Sequence, residues 1–145
     1  MNFNYSPLQK LDLSYYGIKN QVYVKRDDLI HPIISGNKWR KLKYNLKHFD
    51  SISKKGIVSI GGAYSSHILA LSYLCKLNSI KCVLLVRGEQ NSPLNDILKK
   101  CDSYGAIIEY INRNDYKNPK WIENFCKEKY NDFFFIPEGG SNFYG

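Results

Sequence analysis

Several things this sequence does not contain narrow its reading. Cys75, Cys82, Cys101 and Cys126 form no Cys-x-x-Cys pair, and no histidines stand at metal-ligand spacing, so no metal site is expected. Each cysteine lies in an apolar stretch and reads as a small buried hydrophobe. No apolar run approaches the roughly 20 residues that cross a bilayer, so no membrane partner is expected. Met1 to Lys10 lack the charged-then-apolar order of a secretory leader, and a cytoplasmic location is expected. There is no internal repeat and no low-complexity segment. Neither the Gly-x-Gly-x-x-Gly fingerprint nor a Gly-Lys-Ser/Thr phosphate loop occurs. Acidic residues are scarce, 13 against 21 lysines and arginines, for a net charge of +8. The lysines are dispersed, and no basic stretch carries the interleaved aromatics of a single-strand binding groove, so nucleic acid is not the expected partner. A phosphorylated or carboxylate ligand suits the same charge.

What is present can bury a core: 145 residues, 43% hydrophobic and 14% aromatic, enough for one domain or one domain plus part of another. Residues 1–20 show no clear periodicity. Gln21 to Lys25 reads as a short strand ending in the charged cluster Arg26-Asp27-Asp28, an exposed corner or an ion-pair network. Trp39, Leu42, Leu46 and Phe49 have helical spacing, and Ser35 or Asn37 can cap that helix, with Gly36 making the bend. After Gly56 a regular pattern sets in. Ile57–Ile60, Cys82–Val86, Ile107–Ile111 and Phe133–Ile136 read as strands. Between them lie helices over Ser66–Leu77, from Ser92-Pro93 to the Gly105 cap, and from Asn118-Pro119 through Cys126. This βαβαβαβ order predicts a three-layer α/β domain, a parallel four-stranded sheet flanked by helices. Ligands of such sheets bind at the carboxyl ends of the strands, where Gly61-Gly62 and Glu138-Gly139-Gly140 fall.

Two stretches carry chemistry. Lys38 sits in the first turn of its helix, beside the apolar stripe and near the positive end of the dipole. Both effects favour the neutral, nucleophilic amine. The bland reading, a lysine on a solvated face with Arg40, Lys41, Lys43 and Lys47, competes with it. Gly61-Gly62-Ala63-Tyr64-Ser65-Ser66-His67 joins a strand end, a glycine turn and a helix start. Its backbone N–H groups and hydroxyls suit an anion such as a carboxylate, unless the glycines only permit a turn and the serines only cap a helix. His67 is either a core histidine satisfied by backbone or a ligand-facing group. His31 and His48 read as structural or surface residues.

Lys25-Arg26-Asp27-Asp28, Ser35-Gly36-Asn37-Lys38-Trp39-Arg40-Lys41 and Ser59 to His67, in this order, resemble the N-terminal half of the 1-aminocyclopropane-1-carboxylate deaminase and D-cysteine desulfhydrase family. The similarity runs from about Val22 to the end and includes Ile136 to Asn142. These are pyridoxal-phosphate enzymes of fold type II, the tryptophan-synthase β-like group. The resemblance implies residues 53–145 as the small domain and residues 1–52 as a strand–helix segment of the larger domain carrying the cofactor lysine. It implies Lys38 as the lysine that holds pyridoxal 5'-phosphate and shuttles protons, with Asn37 beside it shaping the cofactor site. Ser65 matches the serine that contacts the substrate carboxylate and assists catalysis. Ser66 stands where the family usually has asparagine facing the cofactor, and is assigned to cofactor and substrate. His67 is a substrate-side residue, histidine in desulfhydrase-like members and glutamine in typical deaminases.

The implied activity is a lyase or deaminase acting on a small amino acid, D-cysteine or 1-aminocyclopropane-1-carboxylate, to give an α-keto acid and ammonia. Family members are about twice as long, as the resemblance implies, with their phosphate cup in the second half. The chain is therefore expected to be a portion of the enzyme, inactive alone, with a second chain or a homodimer as partner. The alternative is a non-catalytic α/β domain that binds a small anion or a partner protein.

Overall fold

The computed structural model describes residues 4–34, 36–90 and 93–145. It begins with an antiparallel hairpin, β1 (Leu8–Leu11) against β2 (Val22–Lys25), in which Leu8 faces Lys25 and Leu11 faces Val22. The second strand meets expectation. The first does not, because both faces of β1 are largely exposed and no apolar alternation marks it. After β2 the charged cluster is an ion-pair network. Arg26 holds Asp28, while Asp27 accepts from Ser6 and from both Nε and Nη2 of Arg40 on the following helix.

That helix, α1 (Asn37–Asp50), starts differently from the reading above. Its N-cap is Gly36, at φ +59°, with no side-chain cap, and Asn37 is the first helical residue. Asn37 therefore caps nothing, and Ser35 lies outside the described residues. Leu42 is fully buried, and Trp39, Leu46 and Phe49 pack against the same core.

The remaining elements alternate: β3 (Gly56–Gly62), α2 (Ser66–Leu77), β4 (Lys81–Arg87), α3 (Asp96–Ser103), β5 (Ile107–Ile111), α4 (Arg113–Tyr116), α5 (Pro119–Lys129) and β6 (Phe133–Ile136). The four strands are parallel in the order β5-β4-β3-β6. Ile57, Cys82, Leu84 and Val86 share one core with Ile34, Leu42 and residues of α2 and α3. Val58, Ile60, Val83 and Leu85 share the other with Ile122 and Cys126 of α5. Both sheet faces are thus covered, as expected of continuous apolar strands.

Order and handedness together place the crevice. The chain steps from β3 to β4 to β5 with α2 and α3 on one face. It then returns past β3 to β6, and a right-handed crossover in that direction puts α5 on the opposite face. The strand order reverses between β3 and β6, so the switch point lies where Gly61-Gly62 and the segment after Ile136 emerge.

Caps fix the helix starts. Ser65 caps α2, Asn118 with Pro119 caps α5 as expected, and Asn112 caps α4. The third helix corrects the reading: it starts at Asp96, capped by the Asn95 carboxamide on the Leu98 N–H, so Pro93 and Leu94 precede it. Ser92 lies outside the described residues. Its end is as expected: Gly105 at φ +84° lets its own N–H reach Asp102 O and the Ala106 N–H reach Cys101 O, a Schellman closure. All four cysteines are buried and unpaired. Among the described residues no helix is long and apolar enough to cross a membrane, and no cluster of side chains could hold a metal ion.

Candidate functional site

At the switch point the end of β3 turns tightly into α2. A Cβ on Gly61 would come within 2.7 Å of Ile68 Cγ2, so only glycine lets α2 settle this close to the strand. Ser65 N–H donates to Gly62 O at 2.9 Å and closes the turn, and Asn95 Nδ2 holds the Ala63 carbonyl from the neighbouring loop. Ser65 is half-buried, and its Oγ accepts from the His67 N–H at 3.2 Å. One of the N–H groups expected to meet an anion is therefore already held by the capping hydroxyl. Ser66 is exposed.

Lys38 is the second residue of α1 and is half-buried. Loss of hydration lowers its pKa below the ordinary value, and Lys41 one turn on adds repulsion. Among the described residues its ammonium has no hydrogen bond or ion pair. Asn37 beside it is exposed.

His67 is 1% exposed. Its Nε2 lies 2.9 Å from Ser59 Oγ, and that hydroxyl is 2.7 Å from the Ile136 carbonyl on β6. A carbonyl can only accept, so Ser59 spends its proton there and takes the Nε2–H proton of a neutral imidazole. Nδ1 is left as a buried lone pair with no partner among the described residues. Desolvation first, then Lys38 and Lys41, pushes the pKa of His67 down to about 4.

The chain after β6 forms the third wall. Gly139 and Gly140 both have positive φ, and a Cβ on Gly140 would lie 3.3 Å from Lys41 Cβ and 3.7 Å from His67 Nδ1. Lys41 Nζ donates to Ser141 Oγ, and Asn142 Nδ2 donates to Asn45 Oδ1 at 2.7 Å. Lys38 and His67 are therefore gathered at one end of the sheet, with Ser65 capping the helix that carries His67, while Asn37 and Ser66 are exposed. Sequence reasoning passed over Ser59 and Lys41, while Gly140 lies in the strand-end glycine turn that the sequence placed at the ligand side of the sheet. The lone hydroxyl within Ile57-Val58-Ser59-Ile60 was the available signal for the first. A separate cavity of about 290 Å³ opens on the α3 side of the turn, lined by Ala63, Tyr64, Arg87, Asn95 and Arg113 among others; Lys38 does not line it.

A parallel four-stranded sheet flanked by helices in this manner is the architecture of the fold type II pyridoxal-phosphate enzymes. A crystallised 1-aminocyclopropane-1-carboxylate deaminase homologue superposes with a TM-score of 0.74 at 26% identity, over 94% of this chain and 43% of that one. A pyridoxal 5'-phosphate-dependent aspartate racemase shares the fold at a TM-score of 0.68 and 19% identity, over 98% of this chain and 42% of that one. By sequence, most of the chain is similar to members of the 1-aminocyclopropane-1-carboxylate deaminase and D-cysteine desulfhydrase family. It is 37% identical over 135 residues to a Thermotoga maritima protein provisionally named a 1-aminocyclopropane-1-carboxylate deaminase, covering 86% of this chain and 41% of the relative. It is 27% identical over 152 aligned positions to the mitochondrial bifunctional D-cysteine desulfhydrase/1-aminocyclopropane-1-carboxylate deaminase of Arabidopsis thaliana, covering 97% of this chain and 38% of the relative. The chain thus spans less than half the length of these relatives. No protein-family model matches it.

Proposed function

We propose that this chain carries the lysine and the carboxylate-binding turn of a pyridoxal-phosphate-dependent lyase or deaminase for a small amino acid, D-cysteine or 1-aminocyclopropane-1-carboxylate. The products are an α-keto acid and ammonia, with sulfide from D-cysteine. The observation that carries the reading is Lys38: a half-buried amine, lowered in pKa, with no partner among the described residues, on a helix packed at the switch point.

The residues present fit the cofactor. A lysine amine whose pKa is lowered by desolvation would suit attachment to the cofactor's aldehyde, and basic side chains and a helix start stand nearby for an anionic group. Pyridoxal phosphate, when bound, supplies an electron sink for the pair released at the substrate Cα. The protein's own residues do the rest. Lys38 holds the cofactor and moves a proton, and Asn37 shapes the rim beside it. Ser65 and Ser66 receive the substrate carboxylate at the start of α2, with Ser66 also reaching the cofactor. His67 backs the substrate side from within the core. In this reading residues 1–52 belong to a larger domain and residues 53–145 form the small one. The relatives are more than twice the length of the stretch they share with this chain. The proposal assigns the remaining contacts, those to the phosphate included, to a further segment or a second subunit, and activity to the complete assembly in the cytoplasm.

The test is a titration of the protein with pyridoxal phosphate. A saturable visible band, shifted by D-cysteine or 1-aminocyclopropane-1-carboxylate and lost in Lys38→Ala, is expected. Absence of the band together with saturable small-anion binding lost in Ser65→Ala would replace this reading with a non-catalytic binding domain. The serine-rich helix start would by itself serve that second role.

A further inference from the structure

The turn that leads from β3 into α2 is held from outside by one side chain. Past Gly61, which packs on Ile68, the turn has little support of its own. A Cβ on Gly62 would meet nothing within 4 Å, and the Tyr64 side chain is exposed. Its internal closure is the Ser65 N–H on Gly62 O. Among the described residues, the only side chain from another element that hydrogen-bonds to residues 62–65 is Asn95, whose Nδ2 lies 3.1 Å from Ala63 O.

The same carboxamide serves α3. Its Oδ1 accepts the Leu98 N–H at 3.0 Å and caps that helix. The two partners fix which atom is which: a backbone N–H only donates and a carbonyl only accepts, so a flipped carboxamide would satisfy neither. The helix is itself anchored, because Leu98 and Cys101 lie in the main core with Ile57 and Leu84. Capping alone does not call for asparagine. Aspartate caps equally well but its carboxylate cannot donate, and serine caps equally well on a shorter stem. The carboxamide is what joins the cap to the turn.

We infer that Asn95 is a positioning residue for the turn of residues 62–65. It ties the Ala63 carbonyl to the start of α3, and so sets Ser65 and the N–H groups after it where a carboxylate is received. The inference rests on the reading of this turn as the carboxylate site. Asn95 acts through the turn and touches no reacting atom.

Two substitutions separate the clasp from the cap. Asn95→Ser and Asn95→Asp both keep an acceptor for the Leu98 N–H, and both lose the donor to Ala63 O. In each, amide hydrogen exchange at Ser65 should speed up about tenfold, the equivalent of one ordinary hydrogen bond, while Leu98 and the rest of α3 keep their protection. Pyridoxal phosphate should attach at Lys38 as before. The 1-aminocyclopropane-1-carboxylate concentration that half-shifts its visible band should rise about tenfold. Unchanged exchange at Ser65, or an unchanged half-shift concentration, overturns the assignment. So does faster exchange at Ser65 and throughout α3 together, which would show only a lost cap. Weaker binding in Asn95→Asp but not in Asn95→Ser overturns it too, since charge repulsion alone gives that result. Faster exchange confined to the turn, with no cofactor band or no shift of it in the unsubstituted protein, would uphold the clasp and remove the carboxylate reading.

Discussion

Protonating His67 means placing a charge where water is excluded and where Lys38 and Lys41 already repel it. The folded pKa, about 4, therefore lies below the ordinary 6.5. Between those values the unfolded chain binds more protons than the folded one, so stability rises with pH through this window. The penalty is fully developed below pH 4, at about 3 kcal/mol. Denaturant unfolding from pH 4 to 7 should show this slope, and His67→Gln should flatten it. Ser59→Ala strips Nε2–H and the Ile136 carbonyl of their shared partner and should cost about 1–3 kcal/mol in the same measurement. The histidine was ambiguous in the sequence because its position near a helix start says nothing of burial. What decides it is a serine eight residues earlier that faces the same core.

At the scale of elements, close approach and clasping are separable. Gly61→Ala inserts a methyl that meets Ile68 at 2.7 Å and should push α2 from β3, lowering stability by about 1–3 kcal/mol in chemical denaturation. The hairpin is held to α1 through Asp27, whose carboxyl is lowered from 3.8 to about 2 by its hydrogen bonds to Arg40, then Ser6. A depressed carboxyl gives its stabilisation in full above its unfolded value and loses it as pH falls. Amide exchange in β1 and β2 should therefore accelerate selectively as pH drops below about 4 toward 2. Unchanged relative protection would show that the clasp contributes nothing. The four strands of the main sheet were legible because each is a continuous apolar run between turn residues. β1 was not, since a strand with neither face in a core carries no pattern. The start of α3 was misplaced because two cap-like residues, Ser92 and Asn95, stand three apart, and the one whose carboxamide reaches the Leu98 N–H sets the helix.

For the whole molecule, the apolar stripe of α1 belongs to the main core: α1 lies on the sheet domain, with Leu42 0% exposed in the same core as Ile57 and Leu84. Leu42→Ala should accordingly cost about 2–5 kcal/mol and unfold the sheet with the helix in one transition. Parallel strands with covered faces were legible from the order of elements, and so was the place of Glu138-Gly139-Gly140 at the strand ends, but the clasp of the following residues onto α1 was not. Ser141 reaches Lys41 across 100 residues of chain, and no local pattern encodes that return.

The central claim is that Lys38, set apart from the other lysines by its surroundings, is where the cofactor attaches. Borohydride reduction of the protein after incubation with sub-stoichiometric pyridoxal phosphate, followed by peptide mapping, tests it most directly. The account expects the label concentrated on Lys38 and displaced to no single site in Lys38→Ala. A label spread over the exposed lysines of the wild type, with position 38 unremarkable among them, would contradict it.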